Sequence, residues 1–451
     1  MAATPMPRSN PCVSSPFFLS PPSHSFYSPR FQMSSVLPPL PENRVILGVG
    51  SANVDFLAAV ATYPRPDDKI RSTSAMIQGG GNAGNALTCA ARLGLKPRLI
   101  SKVADDSQGK RILEELEADG VDSSFVAVSE GGNSPFTYII VDDQTKTRTC
   151  IHTPGYPPMI PDDLPESNLL EALDGVKIVY FDGRLHETAL VVAQEAARRG
   201  IPILIDAERK REGLDDLLSL SSYAVCSAKF PQAWTGAPSV PSALVSMLLK
   251  LPNIKFVVVT IGEDGCIMLE RSVCEDVHSE EIDVDDVLET LKQKKDYDTT
   301  LPTYVASNEA KLRANGIGTV CGRLLIGTAE KIPSSELVDT TGAGDSFIGA
   351  VLYALCTNMA PEKMLPFASQ VVGLTCCYWL QSPGSQNRSS TTHRFQIDYF
   401  FNLEIPGGGR GTYVVADLKG VSGRQLGVFF LAFLTGFFWT DILIYLLENL
   451  P

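Results

Sequence analysis

From residue 44 the chain alternates short apolar runs with stretches of helical periodicity. The runs at 45–49 and 98–103 predict strands, and those at 177–181, 202–205 and 256–260 predict buried strands. Helical patterns lie among them. One covers 86–93 and is closed by Gly94; another covers 107–119, with Ile112, Leu113 and Leu116 at helical spacing before Gly120; a third covers 187–199. Strands alternating with helices predict an α/β architecture with a mainly parallel sheet covered on both faces. Residues 69–77 and 136–150 alternate instead. The turn-like Asp142-Asp143-Gln144 predicts that 137–141 and 145–151 form a hairpin. Together these pieces, about 55–80 and 135–152, predict a small β-sheet appended to the main one and placed to act as a lid.

The two ends do not share this rhythm. Residues 1–42 are rich in Ser and Pro, carry Arg8 and Arg30, and have no acid before Glu42. Such a composition buries too little apolar surface to offset chain entropy, so a disordered leader is expected. A plastid transit peptide and an untargeted tail both fit it. After the alternating region, which is expected to end near 380, residues 381–451 form an atypical tail with a glycine cluster at 407–411. Its apolar segment, 426–447, is interrupted by Asp441 and is a marginal candidate for membrane contact. Residues 272–312 read as an acidic, solvated insertion, since ten acids fall between Ser272 and Thr300.

Composition then narrows the function classes. Lys and Arg number 38 against 51 Asp and Glu, a net charge of −13 with no basic stripe, which argues against a nucleic-acid partner. The ten cysteines include no CxxC pair, so neither a zinc module nor a disulfide framework is indicated; reduced thiols in the cytosol or a plastid are expected. No protein-borne metal site is predicted.

Three glycine-bearing strings carry the candidate chemistry. Gly79-Gly-Gly-Asn-Ala-Gly-Asn85 precedes a helix and formally contains GxGxxG, but it does not follow the first strand directly as a dinucleotide fingerprint does. Asn82 and Asn85 at the mouth of a helix suit a polyhydroxylated ligand, with glycines allowing close backbone approach. Thr260-Ile-Gly-Glu-Asp-Gly265 ends an apolar strand, where open α/β sheets bind ligands; a plain tight turn reads equally well. Asp339-Thr-Thr-Gly-Ala-Gly-Asp345 places a bare backbone, Gly342, Ala343 and Gly344, before a helical run at 346–356. Unpaired N–H groups and the helix dipole make that an anion site. Asp345 beside it is either a helix cap or a base positioned to accept a proton from an attacking hydroxyl.

Taken together, these strings resemble the ribokinase-like sugar kinases of the PfkB family over residues 44–380. The likeness to ketohexokinase-type members adds Tyr63-Pro64, Asp67, Ile70-Arg71, Phe181-Asp-Gly-Arg184 and Cys226-Ser-Ala-Lys229. The resemblance implies a three-layer α/β sandwich with a β lid and an ATP- and Mg2+-dependent transfer of a phosphoryl group to a small sugar or nucleoside-like substrate. It implies that Asp345 is the base and Gly342, Ala343 and Gly344 the anion hole. Asp55, Asp67, Gly81, Asn82 and Asn85 would bind the sugar, and Arg148, Lys229, Thr260, Gly262 and Gly265 the nucleotide. It also implies a homodimer through the lid. The family's NxxE motif is replaced here by Ser227-Ala-Lys-Phe230, and the segment 371–380 is bulkier than the family's small-residue helix. A P-loop kinase is excluded because GxxxxGK[ST] is absent. Two other readings compete with the kinase: a non-catalytic kinase-like protein that binds partners, and a nicotinamide-dependent dehydrogenase resting on GxGxxG alone.

Overall fold

The computed structural model describes residues 40–145, 147–273, 280–296, 298–337 and 340–378, and the backbone of 400–404 and 410–414. The first half of the main sheet and the lid are interleaved in the chain. Strand β1 (Val45–Val49) is followed by β2 (Asn53–Val60) and β3 (Ser72–Gly80), then α1 (Asn82–Arg92), β4 (Lys96–Ala104), α2 (Ser107–Ala118) and β5 (Val126–Ser129). Next come β6 (Phe136–Asp142) and β7 (Arg148–Thr153), then α3 (Glu166–Ala172), β8 (Val179–Phe181), α4 (His186–Arg198), β9 (Ile203–Ala207), α5 (Leu214–Ser219) and β10 (Tyr223–Ser227). The chain continues through α6 (Phe230–Thr235), α7 (Val240–Lys250), β11 (Phe256–Thr260), β12 (Cys266–Arg271), β13 (Glu281–Asp283), α8 (Val284–Gln293), β14 (Tyr304–Ala306), β15 (Ala310–Ala314) and β16 (Gly318–Gly327). Helices α9 (Ala343–Cys356) and α10 (Pro361–Tyr378) follow. Strands β17 (Phe400–Glu404) and β18 (Arg410–Val414) pair with each other.

The main sheet runs β13-β15-β16-β12-β11-β10-β9-β8-β1-β4-β5, with β14 joined to β16. From β11 to β5 every pairing is parallel. One apolar cluster, built on α3, α4, α5, α7 and α8, covers one face; a second, built on α1, α2, α9 and α10, covers the other. This is the reason the parallel strands read as unbroken apolar runs. Chain order reverses at β1, which lies between β4 and β8. Open parallel sheets bind ligands outside the carboxyl ends of their strands at such a switch point. The lid is a separate sheet, β3-β2-β6-β7.

Several elements differ from the sequence reading. The segment read as a solvated insertion contributes β13, β14 and β15 to the main sheet, and α8 buries Val284, Leu288 and Leu291. Acids dominate its composition, but on α8 Asp285, Asp286 and Glu289 lie off the face that buries these three residues. The antiparallel pairs β11-β12 and β12-β16 were not anticipated. Cys321 is disulfide-bonded, against the expectation of reduced thiols throughout. It sits on β16, where its carbonyl accepts from the Ser272 N–H, so the chain leaving β12 passes alongside it. Cys89, Cys226, Cys266 and Cys356 are buried free thiols. Most of the predicted leader and the apolar segment 426–447 lie outside the described residues. Among the described residues no helix is long and apolar enough to cross a membrane.

Helices α1 and α9 cross in close contact because Gly349 has no side chain. A Cβ there would lie 2.7 Å from the Ala86 carbonyl and from Cys89 Cβ. Ala in place of Gly improves helix propensity by about 1 kcal/mol, whereas overpacking against backbone costs about 1–3 kcal/mol. Gly349→Ala should therefore lower the thermal unfolding midpoint, and Gly349→Val should lower it further; a midpoint at or above wild type would contradict this packing.

Candidate active site

The glycine string does not form the loop expected of it. Gly79 and Gly80 are the last residues of β3, paired with Val54 and Asn53, and α1 begins at Asn82 rather than at 86. Each of the three glycines makes room for a different neighbour. A Cβ on Gly79 would lie 2.8 Å from Glu115 Oε2, and one on Gly80 would run into the Asp55 carboxylate. Gly81 has φ +89°, and a Cβ there would lie 2.5 Å from the Ser51 carbonyl. That backbone conformation and that space both require glycine. Ser51 then caps α1: its Oγ accepts from the Asn82 N–H at 3.2 Å and its carbonyl from the Gly84 N–H at 3.1 Å. The donors that a dinucleotide pyrophosphate would use are therefore occupied, which removes the dehydrogenase reading.

Acidic groups gather at the carboxyl ends of β1, β8 and β9. Asp182, fully buried after β8, accepts from the Ser51 N–H at 2.7 Å and its Oγ at 2.8 Å, and Arg184 Nη1 lies 3.4 Å away. Gly50 is bare where a Cβ would strike the Asp182 carboxylate. Asp206, at the end of β9, accepts from Asn82 Nδ2 at 3.3 Å. Burial, followed by the negative charge of Asp345, pushes its carboxyl well above the usual range. Asp55 on β2 is buried and accepts from Asn53 Nδ2 at 2.5 Å; Asn53 also reaches Thr137 on β6. Burial raises Asp55 to about 6, against the opposing hydrogen bonds from Asn53 and Thr137.

Asp345 completes the group. Its helix, α9, starts at Ala343, and Gly342 at φ +74° is the cap residue without a side-chain cap. Asp345 thus sits inside the first turn and is not the capping residue. Its Oδ2 accepts from Asn85 Nδ2 at 2.8 Å, so the first turns of α1 and α9 face each other. Asp345 keeps some accessible surface, but protein atoms crowd its carboxyl. This crowding pushes it up to about 7, opposed by the Asn85 hydrogen bond and by the charge of Arg184. The Ala343 N–H turns back to the Thr340 carbonyl at 3.2 Å, while the Cβ position of Gly344 has nothing within 4 Å. From the lid, Arg148 Nη1 donates to Thr340 Oγ1 at 2.9 Å and so reaches the same turn.

A second group lies at the ends of β10 and β11. Thr260 Oγ1 donates to the Cys226 carbonyl at 3.4 Å, and Lys229 is the cap residue of α6 just beyond β10. Gly262 and Gly265, at φ +64° and +94°, close the turn after β11, and a Cβ on Gly265 would run into the Gly327 carbonyl. Asp67 stands apart. It lies in the exposed connection between β2 and β3 at φ 67°, and among the described residues it makes no hydrogen bond or ion pair with the others.

Ser51, Asp206 and Glu115 were not singled out from the sequence, and Asp182 entered only within the string Phe181-Asp-Gly-Arg184, with no role given to it. Ser51, Asp206 and Glu115 are isolated polar residues near a strand end or on a helix, in no spacing that marks them. The one available signal was position, because Ser51, Asp182 and Asp206 end successive parallel strands next to the switch point. Among the described residues no three His, Cys, Asp or Glu side chains are grouped to hold a metal ion.

Comparison with known proteins fits this geometry. The pfkB family carbohydrate kinase pattern matches residues 44–290 and 327–389. Ribokinase of Mus musculus is 23% identical over 353 residues, 77% of this chain and 92% of the relative; ketohexokinase of Mus musculus is 24% identical over 343 residues, 74% and 97% respectively. Among solved structures, a putative ribokinase from Agrobacterium tumefaciens superposes with a TM-score of 0.54 at 23% identity, covering 74% of this chain and 91% of that one. Arabidopsis thaliana ribokinase complexed with ribose and ATP gives 0.51 at 19% identity, covering 76% and 93%. These structures share the fold, a ribokinase-like α/β sandwich with a separate small sheet. The chain belongs to the pfkB family of carbohydrate kinases, phosphotransferases with an alcohol group as acceptor.

Proposed function

We propose that the protein transfers the γ-phosphoryl group of ATP to a hydroxyl of a small sugar or nucleoside-like polyol, with Asp345 as the base. The observation that carries this reading is the Asn85–Asp345 hydrogen bond, which holds a carboxyl with a pKa of about 7 at the N-terminal turn of α9. Near neutral pH such a group is partly ionised and still basic enough to take a hydroxyl proton as attack proceeds. The turn of Gly342, Ala343 and Gly344, in which Gly344 is open and the Ala343 N–H would have to leave the Thr340 carbonyl, presents the positive end of α9 to the phosphoryl oxygens as charge develops on them. Asp55, buried on lid strand β2, accepts from acceptor hydroxyls, supported by Gly81, Asn82 and Asn85. The amide nitrogens of the two asparagines hold Asp206 and Asp345, so their oxygens are the atoms left for the acceptor. Asp67 enters this reading only as part of the lid connection.

Arg148, Lys229, Thr260, Gly262 and Gly265 line the nucleotide side in this proposal. Burial, and then the charges of Arg184, Arg209 and Arg211, hold His152 of the lid below its usual range, so these arginines are cations near the lid that could meet phosphates. Magnesium belongs to the proposal as the nucleotide's counter-ion. With no cage of protein ligands among the described residues, phosphate oxygens and water would hold it, and Glu208, just past β9, ion-paired with Arg211 and near Arg184 but 42% exposed at its side chain, is a carboxylate it could approach. The metal would supply charge neutralisation on the phosphates.

The lid offers a surface for pairing with a second copy. Ile77, Phe56, Tyr138 and Ile151 are register partners in one row across all four strands, and Ile77, Tyr138 and Ile151 are exposed. We read this row as the homodimer contact. Light scattering should give twice the chain mass for wild type and the single mass for Tyr138→Asp; a monomeric wild type would contradict it.

ADP release over a panel of ketoses, pentoses and nucleosides tests the activity. At least one acceptor should give turnover, and Asp345→Asn should reduce its kcat by about 10²–10⁴-fold; unchanged turnover in Asp345→Asn would overturn the mechanism. The kcat/KM profile should rise with pH through about 7. Arg184→Gln removes a cation that favours the ionised form, so the rising limb should move to higher pH. The same shift has a stability consequence. The folded state retains a proton on Asp345 that the unfolded chain loses above about pH 4, so this group makes stability fall as pH rises from about 4 to about 7. Asp345→Asn should therefore have a higher unfolding midpoint than wild type at pH 8 and a smaller difference at pH 5.

A further inference from the structure

Strand β3 is an edge strand of the lid sheet and also the segment by which the lid enters α1. Its outward backbone groups are not left to water. Arg111 Nη2 on α2 donates to the Ile77 carbonyl at 2.8 Å, and Glu115 Oε2, one helical turn on, accepts from the Gly79 N–H. The two side chains are themselves ion-paired at 2.8 Å, with side-chain exposures of 35% and 12%. One helix thus presents a donor and an acceptor to the strand edge two residues apart, as a neighbouring strand would. Helix α2 is anchored in turn to α1, since Arg92 Nη2 in the last turn of α1 pairs with Asp119 at the end of α2 at 2.8 Å. Between these contacts lies a small cavity lined by Asn53, Gln78, Gly80, Asn85, Arg92 and Glu115.

Bare Gly79 is what lets the Glu115 carboxylate reach the strand. The next residue, Gly80, packs directly on the Asp55 carboxyl, and Asp55 is the register partner of Gln78 between Ile77 and Gly79. Any sliding or tilting of β3 at this point therefore moves Asp55. We propose that Arg111 and Glu115 are positioning residues that clamp the lid stalk at Ile77 and Gly79 and thereby set where Asp55 meets the acceptor. This rests on the reading of Asp55 as an acceptor-binding group. It also assigns the first glycine of the string a part in the clamp, without contact to substrate. A carboxylate accepting a backbone N–H makes a stronger hydrogen bond than a neutral acceptor does, so Glu115→Gln should weaken the clamp and Glu115→Ala should remove it.

The test uses the full chain and two readouts. In hydrogen–deuterium exchange of the ligand-free protein, Glu115→Ala should speed exchange of the peptide covering 77–81 by about tenfold or more, Glu115→Gln by less, and peptides from β9 to β11 should match wild type. A tenfold change corresponds to about 1.4 kcal/mol, small enough to leave the domain folded. In turnover with D-fructose, D-ribose and adenosine as acceptors, Glu115→Ala should raise the acceptor KM about tenfold, with kcat and the KM for ATP within about twofold of wild type; Gln should restore most of the loss. Wild-type exchange at 77–81 in Glu115→Ala would overturn the clamp, and so would faster exchange spread evenly over the whole domain. Altered exchange with unaltered acceptor KM would overturn its link to Asp55. If wild type turns over none of the three acceptors, the kinase reading fails for them, while the exchange result still decides whether the clamp exists.

Discussion

The site depends on one long-range contact, the hydrogen bond between Asn85 in the first turn of α1 and Asp345 in the first turn of α9. It spans 260 positions in sequence and exists because two helices can lie nearly backbone to backbone at Gly349. A buried carboxyl without a partner is costly; with a neutral amide donor it is held in place but not fully compensated. That intermediate condition keeps it at about 7, a value suited to taking a proton near neutral pH. A salt bridge would have fixed Asp345 ionised and weakly basic, and a wholly apolar pocket would have kept it protonated.

The neighbouring asparagine repeats the arrangement, with Asn82 holding Asp206. One helical turn of α1 thus organises two carboxyls, Asp206 and Asp345, that are far apart in the chain. Ser51 fixes that turn, and Ser51 is itself held by Asp182. The order is β1 end, then α1, then α9, and each step is a hydrogen bond to a group at the carboxyl edge of the parallel sheet. Net charge plays little part in it. The chain carries a charge of −13, yet at the cleft Arg184 lies within reach of Asp182 and Glu208 and, with the N-terminal end of α9, offsets part of the local acid charge.

Much of this was legible in the sequence, for reasons that differ by element. The buried parallel strands were plain because both faces are covered, so 256–260 was read as the strand later seen over the same residues. Asp345 and the asparagines were plain because glycines surround them. What escaped was long-range. The glycines at 79 and 80 read as a loop but extend β3, because their reason for being bare is Glu115 and Asp55 and not chain reversal. The acidic stretch read as solvated because ten acids outweigh Val284, Leu288 and Leu291 in any composition count, although those three residues are the ones that fold it onto the sheet. Asp206 carries no local signature, Asp182 was visible only inside Phe181-Asp-Gly-Arg184, and only strand order brings the two to the same edge.

The account stands most directly on where an acceptor hydroxyl lies relative to Asp345. A crystal structure of the full chain with a turned-over acceptor and a non-hydrolysable ATP analogue measures it. The reactive hydroxyl should sit about 2.6–3.2 Å from a carboxyl oxygen of Asp345, with the terminal phosphate over the Gly342–Gly344 turn and the remaining hydroxyls on Asp55. An acceptor bound with its reactive hydroxyl away from Asp345, or a terminal phosphate directed elsewhere, would contradict the assignment of Asp345 as the base.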